Sequence, residues 1–362
     1  MTAAASSASC AENADAPVIA AASWGQRHMG AERAWPRTTG DVIVAVVDTG
    51  VSANTPSLRG AVLRGSDLSG GRGDVDCFGR GTFIASLIAS RAASDTEFVG
   101  VAPGATILPI RAINHPEQRG LDTELPGLLT AAINASVAAG ARVIAVPLST
   151  TVNDKGLNRA VKAAVDKDVL IVASAIQDEG LPTFPASWEG VLAVAPLGLK
   201  GGAVPEQLGA SPDVASPSHE LIGAVPDGPG HIEGTDDALA VGYAAAAAAL
   251  VMDAYPELSV QEVSERLIGT ADATTASSAP GERDPSLGYG VVNPVAAVTR
   301  LGTETIVVTP TPAVTTLGLA PGPDERPVDL AVAVTAGAGV LAISVIGPTV
   351  GVILVRRKHV AE

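Results

Sequence analysis

The sequence predicts an α/β domain built on a doubly wound, mostly parallel sheet with helices on both faces, followed by one C-terminal transmembrane helix. Three observations carry this reading. From Asp41 to Arg300, short β-branched runs alternate with Ala-rich stretches of helical length, as in a parallel sheet covered on both sides. After Arg300 the composition turns Thr- and Pro-rich, and from Leu330 to Val355 it is apolar without a single charge. Hydrophobic residues make up 47% of the 362, which excludes disorder throughout. With only 4 Phe, 3 Trp and 3 Tyr, the core has to be built from Ala, Val, Leu and Ile.

Residues 1–40 form an N-terminal extension, in which Met1 to Ser23 shows neither the basic start nor the continuous apolar run of a signal peptide. Within the domain, 41–300, strands are expected at Val42–Val47, Ile107–Arg111, Arg142–Val146, Val169–Ser174 and Val191–Ala195. Helices are expected at Gly81–Ser90, Gly127–Ala139 and Leu157–Asp166. Ala238 to Ala254, with alanine at every position from Ala244 to Ala249, has the thin side chains of a helix buried in a crowded interior. It is too short and too weakly hydrophobic for a membrane span. No repeat of a solenoid or propeller period is present.

The linker, 301–329, holds six Thr and five Pro between Thr303 and Asp329. A flexible chain of that length separates its ends by roughly 30 Å. The transmembrane helix is expected at 330–355, longer than the about 20 apolar residues that a bilayer core requires, so the lipid bilayer is an expected partner. Arg356, Arg357 and Lys358 follow in the tail, 356–362. Basic residues beside a span stay cytoplasmic, so the chain reads as a single-pass cell-membrane protein with its main domain extracytoplasmic.

The 23 Lys and Arg against 38 Asp and Glu leave a formal net charge of −15, which excludes a basic nucleic-acid binder. Cys10 and Cys77 are too few for a disulfide framework or a four-ligand zinc site, but they can form one bridge in an oxidising compartment. No compact Asp/Asn ligand loop stands out, so neither a metal nor another cofactor is expected. Arg72-Gly73-Asp74 spells an adhesion tripeptide and is assigned to loop structure.

Three segments fall into a recognisable order: VIVAVVDTGV around Asp48, DCFGRGTFIASLIAS around Arg80 and EGTDDALAVGYAAAAAAL around Asp236. They resemble the three catalytic blocks of the subtilisin-like serine proteases. FVGVAPGATILPIR from Phe98, FPASWEGVLAV from Phe184 and GYGVVNPVAAV from Gly288 support the likeness, which spans Ala22 to Val298. Within that superfamily the chain most resembles the mycosins, membrane-anchored subtilases associated with type VII secretion. WGQRHMGAERAWP from Trp24, Asp76-Cys77, the Pro-rich linker and the terminal span agree with that group. The resemblance implies a subtilisin-like fold, type VII secretion membrane components as partners, and a bridge from Cys10 to Cys77. Closing that loop of about 67 residues contributes on the order of 4 kcal/mol in the chain-entropy description.

Residue by residue, the resemblance makes Asp48 the retained acid of the catalytic triad. It puts Arg80 where the family has His and Asp236 where it has Ser. Gln177, closing Ser174-Ala175-Ile176-Gln177, stands where the oxyanion-hole Asn follows Ala-Ala-Gly. Triad chemistry needs a hydroxyl nucleophile and an imidazole that removes and returns its proton. A guanidinium cannot act as general base at neutral pH, and a carboxylate lacks the alkoxide reactivity of acyl transfer. None of the five histidines replaces the missing one. His28 lies in the Trp24 segment, His115 follows a strand, His219 and His231 sit in loops before the Asp236 helix, and His359 lies beyond the span.

In the family geometry the imidazole lies between acid and nucleophile, so Arg80 is expected between Asp48 and Asp236 as an Asp-Arg-Asp ion cluster. The expected function is that of a catalytically degenerate, mycosin-like subtilase with a scaffolding or stabilising role. Two alternatives stay open: a serine endopeptidase with a rearranged site, and a non-cleaving peptide-binding module. An Asp48–Asp236 pair working as an aspartic-protease dyad is disfavoured, because Arg80 would hold both carboxylates ionised.

Overall fold

In the computed structural model the described residues are 15–117, 121–176, 181–199, 201–204, 210–274 and 282–300, all belonging to one unit of the chain, Met1–Val308. Cys10, Gln177, the linker and Leu330–Val355 lie outside the described residues. In chain order the elements are α1 (Trp24–Met29), β1 (Ile43–Asp48), β2 (Ser66–Asp67), α2 (Arg80–Ala89), β3 (Thr106–Arg111), α3 (Leu121–Ala138), β4 (Val143–Val146) and α4 (Lys155–Val165). They continue with β5 (Leu170–Ser174), β6 (Val191–Leu197), β7 (Val214–Pro217), β8 (Leu221–Ala224), β9 (His231–Gly234), α5 (Ala240–Ala254), α6 (Val260–Gly269) and α7 (Pro294–Thr299).

Among the described residues the main sheet runs β2-β3-β1-β4-β5-β6-β7, with every neighbouring pair parallel. β8 and β9 form a separate antiparallel hairpin. The sheet is buried on both faces, which is why its strands are near-continuous Val, Ile, Leu and Ala runs. Alternate residues still divide between two cores. Val44, Val46, Val143, Ala145, Leu170 and Val172 point into the layer that holds α2 and α5. Ala45, Val47, Ile144, Val146, Ile171 and Ala173 point into the layer that holds α3 and α4. This period of two is the pleat of the strands, and it supplies the doubly wound architecture.

α5 explains the alanine run. Every residue from Ala240 to Met252 is buried, because the helix packs against five strands of the sheet on one side and against α2, α6 and α7 on the others. Asp237–Ala254 is long and apolar enough to cross a membrane, but 83% of it lies inside the domain, so its apolarity is that of core packing. Only thin side chains allow neighbours to close in from every side.

Most element ends fall within a residue or two of expectation, and two features differ by more. α3 begins at Leu121 rather than Gly127 and carries Pro126 inside it. Proline removes one backbone hydrogen bond and reads as a boundary, yet this one sits early in the helix and is buried, so packing offsets the loss. His231, expected in a loop, opens β9 and pairs with Ala224.

Candidate functional site

The order in which strands are laid down reverses beside β1, while the strands stay parallel: the connection through α2 leads to β3 on one side, and β4 lies on the other. In such sheets the crevice outside the carboxyl ends of the strands is where ligands bind. Asp48 is the last residue of β1 and has 0% exposure. Arg80 is the first residue of α2, and Asp236 caps the short 3-10 turn Asp237–Leu239 that leads into α5. Three element ends therefore meet at this crevice.

Their closeness depends on glycine. A Cβ on Gly81 would stand 2.0 Å from the Gly50 carbonyl oxygen and 3.3 Å from Asp48 Cβ, so the first turn of α2 can rest on the end of β1 only without a side chain there. Gly79, just before the helix, has φ 102, a conformation other residues rarely adopt. Asp76 organises the same turn from inside. Its Oδ1 accepts the backbone N–H of Phe78 at 3.1 Å and of Gly79 at 2.8 Å, while its Oδ2 accepts the Thr82 N–H at 2.9 Å and hydroxyl at 2.7 Å. Thr82 Oγ1 in turn accepts the Ser52 N–H at 3.0 Å, and Thr49 Oγ1 accepts the Gly81 N–H at 3.0 Å. Burial pushes the Asp76 carboxyl above its ordinary range despite these bonds.

At the centre, Arg80 Nε donates to both Asp48 oxygens, at 3.0 and 3.2 Å. Asp48 Oδ1 also accepts the Thr49 N–H at 2.7 Å. Arg80 Nη1 lies 3.5 Å from Asp236 Oδ2, and Asp236 Oδ1 accepts the Ala238 N–H at 2.9 Å. The guanidinium side chain is 12% exposed and the Asp236 carboxylate 38%, so the cluster opens to solvent on the Asp236 side.

The electrostatics follow from this placement. A cation at a helix N-terminus opposes the helix dipole, and here the neighbouring carboxylates compensate for it. Burial by itself loosens the Arg80 proton, but the charges of Asp48 and Asp236 outweigh burial and hold the guanidinium pKa above its ordinary value. Asp48 moves the other way: desolvation raises its pKa, and the Arg80 charge only partly opposes this.

The histidines have partners of their own. His28 packs beside Trp24 and His115 on Phe78, while His231 Nδ1 accepts the Ile19 N–H. His359 lies outside the described residues. The structure also joins residues that motif reading passes over. His219 Nδ1 is 2.8 Å from Ser218 Oγ, and its Nε2 is 3.5 Å from Asp237 Oδ1. The three residue types are those of a triad, but Ser218 has 0% exposure and its hydroxyl also reaches the Leu197 carbonyl at 3.3 Å. The Arg72-Gly73-Asp74 tripeptide closes on itself, with Arg72 Nε donating to Asp74 Oδ1 at 2.7 Å.

A doubly wound sheet of this order, with the crevice at β1 and three element ends converging on it, defines a subtilase scaffold. The Subtilase family matches residues 39–290, and the chain belongs to that family. Among curated proteins it is similar to Mycosin-3 of Mycobacterium tuberculosis, at 30% identity over 74% of this chain and 69% of the relative. Among solved structures it is similar to the MycP3 protease from the type VII (ESX-3) secretion system, at TM-score 0.67 and 28% identity over 78% of this chain and 91% of that one. A chain in the periplasmic assembly from the ESX-5 inner membrane complex matches at TM-score 0.65 and 26% identity, over 88% of this chain and 89% of that one.

Proposed function

We propose that this chain is a mycosin-type subtilase that no longer cuts peptide bonds and acts as a structural component of a type VII secretion membrane assembly. The observation that carries the reading is Arg80, buried where a proton shuttle would stand, 3.0 Å from Asp48 and 3.5 Å from Asp236. A permanently charged guanidinium accepts no proton, and both Asp48 oxygens are occupied by its Nε. Asp236 presents a carboxylate in place of an alcohol. In subtilisin-type enzymes the loss of either the base or the nucleophile costs about a millionfold in turnover.

The assembly role is supported by the company the fold keeps: solved relatives are described as a protease of a type VII secretion system and as part of a periplasmic inner-membrane assembly. The proposed plan of the chain is an extension, 1–40, bridged to the domain through Cys10 and Cys77, and a domain, 41–300, with Gln177 at the former oxyanion position. A linker, 301–329, a single span, 330–355, and a cytoplasmic tail, 356–362, complete it. The domain lies outside the cytoplasm.

The test is genetic and biochemical. Deleting the chain should abolish recovery of the intact secretion complex from membranes, and re-expressing either the native chain or Asp236→Ala should restore it. Restoration by the native chain but not by Asp236→Ala, together with peptide hydrolysis that Asp236→Ala abolishes, would overturn the reading.

A further inference from the structure

The second strand of the hairpin opens on a histidine, and that residue lies against the N-terminal extension. His231 is 3% exposed. Its backbone N–H donates to the Pro17 carbonyl at 2.9 Å, and its Nδ1 accepts the Ile19 N–H at 3.1 Å. The ring packs on Phe98, with centroids 4.9 Å apart. The chain before it fits just as tightly: a Cβ on Gly230 would stand 1.8 Å from the Ala16 carbonyl oxygen. From the other side, Thr96 Oγ1 donates to the Ile19 carbonyl at 2.6 Å, the Glu97 N–H donates to the Ala20 carbonyl at 2.7 Å, and Glu97 Oε2 accepts the Ala22 N–H at 3.3 Å.

Residues 15–21 are otherwise exposed or half-buried. Little apolar area holds the extension down, so directed hydrogen bonds carry its seat, and such segments open at low free energy. Only an unprotonated Nδ1 can accept the Ile19 N–H. Protonation turns that nitrogen into a donor facing a donor, inside a pocket that also disfavours the new charge.

We propose that His231 is a proton-operated clasp: with Nδ1 free it holds residues 15–22 on the domain, and protonation releases them while the core stays folded. The charged groups on the packed elements are few. Asp95, on the loop before Phe98, acts on the ring and favours the imidazolium. Glu97 on the same loop is engaged by Ala22, and a carboxyl keeps an acceptor lone pair when protonated. Pro17, Ile19 and the hairpin partner Ala224 bring no charge. Burial outweighs Asp95 and lowers the His231 pKa from its ordinary value of 6.5. For a base with a lowered folded pKa, the stabilisation is present above the ordinary value and is lost as pH falls through the lowered one.

The experiment is hydrogen exchange read by mass spectrometry on the full chain in detergent micelles, between about pH 8 and about pH 5, with rates corrected for intrinsic pH dependence. Peptides covering residues 15–23 should lose protection by at least about tenfold on acidification, with a midpoint below 6.5, while β1 and α5 peptides keep theirs. In His231→Asn, whose amide oxygen can accept the Ile19 N–H without titrating, protection should stay flat. Unchanged protection in the native chain, a midpoint above 6.5, or the same loss in His231→Asn would each overturn the proposal. The native-chain result decides the matter even if the variant fails to fold.

Discussion

Replacing Arg80 with Met, a side chain of similar reach and no charge, isolates the energetics of the cluster. Asp48 has 0% exposure and receives two of its three hydrogen bonds from Arg80 Nε, so the substitution strands a carboxylate that has neither water nor a counter-ion. Breaking a buried pair from one side costs about 3–5 kcal/mol. At roughly 2–4 °C per kcal/mol for a domain of this size, Tm should fall by roughly 10 °C. The loss should also depend on pH in a defined direction. Asp48 already binds its proton more readily folded than unfolded, and removing the Arg80 charge raises its pKa further. Stability of the variant is then best below the ordinary carboxylate range and declines as pH rises through the raised folded value, so its deficit should be larger near pH ~8 than near pH ~5. Urea unfolding followed by tryptophan fluorescence measures both effects, since Trp24, Trp35 and Trp188 all lie partly buried in the domain. Adding Asp48→Asn to the variant should recover part of the loss, because the stranded charge is gone. A change within about 0.5 kcal/mol that is the same at both pH values would refute the reasoning.

Three further substitutions probe the frame around the cluster. Gly81→Ala places a methyl 2.0 Å from the Gly50 carbonyl and should yield little soluble protein, or a Tm loss exceeding that of Arg80→Met; a native-like melting curve would contradict the close contact of α2 with β1. Asp76→Ala leaves the N–H groups of Phe78, Gly79 and Thr82 without their acceptor and should cost about 2–3 kcal/mol by urea unfolding; a loss under about 0.5 kcal/mol would remove Asp76 from its organising role. Ala246→Leu overpacks α5 at a position with no exposure and should destabilise by about 1–3 kcal/mol or more; a neutral result would mean that the helix has slack around it.

Legibility varied with how local the signal was. β1, β3, β4, β5 and β6 were readable because each is a β-branched run bounded by turn residues. β2, at two residues, is too short to show a period, and β7 reads Val-Ala-Ser-Pro, with no run to detect. α6 carries a local start signal, since Ser259 and Glu262 form a reciprocal capping box. Asp48, Arg80 and Asp236 could be found because each sits at an element end inside a block with its own spacing. Asp76 lay within one of those blocks, yet its four hydrogen bonds to the turn have no one-dimensional signature. Ser218, His219 and Asp237 meet only because β7 and the turn before α5 come together in space, where the Asp236 N–H faces the Ser218 carbonyl. The contact of His231 with Ile19 spans 212 positions and belongs to tertiary structure alone.

On the proposed function, a buried guanidinium between two carboxylates leaves the crevice without peptide-bond chemistry. Intact-mass analysis after exposure to a fluorophosphonate probe tests it most directly, with the native chain beside an Arg80→His, Asp236→Ser, Gln177→Asn variant. The native chain should gain no adduct, and the variant should acquire one mass increment on residue 236. A stoichiometric adduct on the native chain would contradict the account.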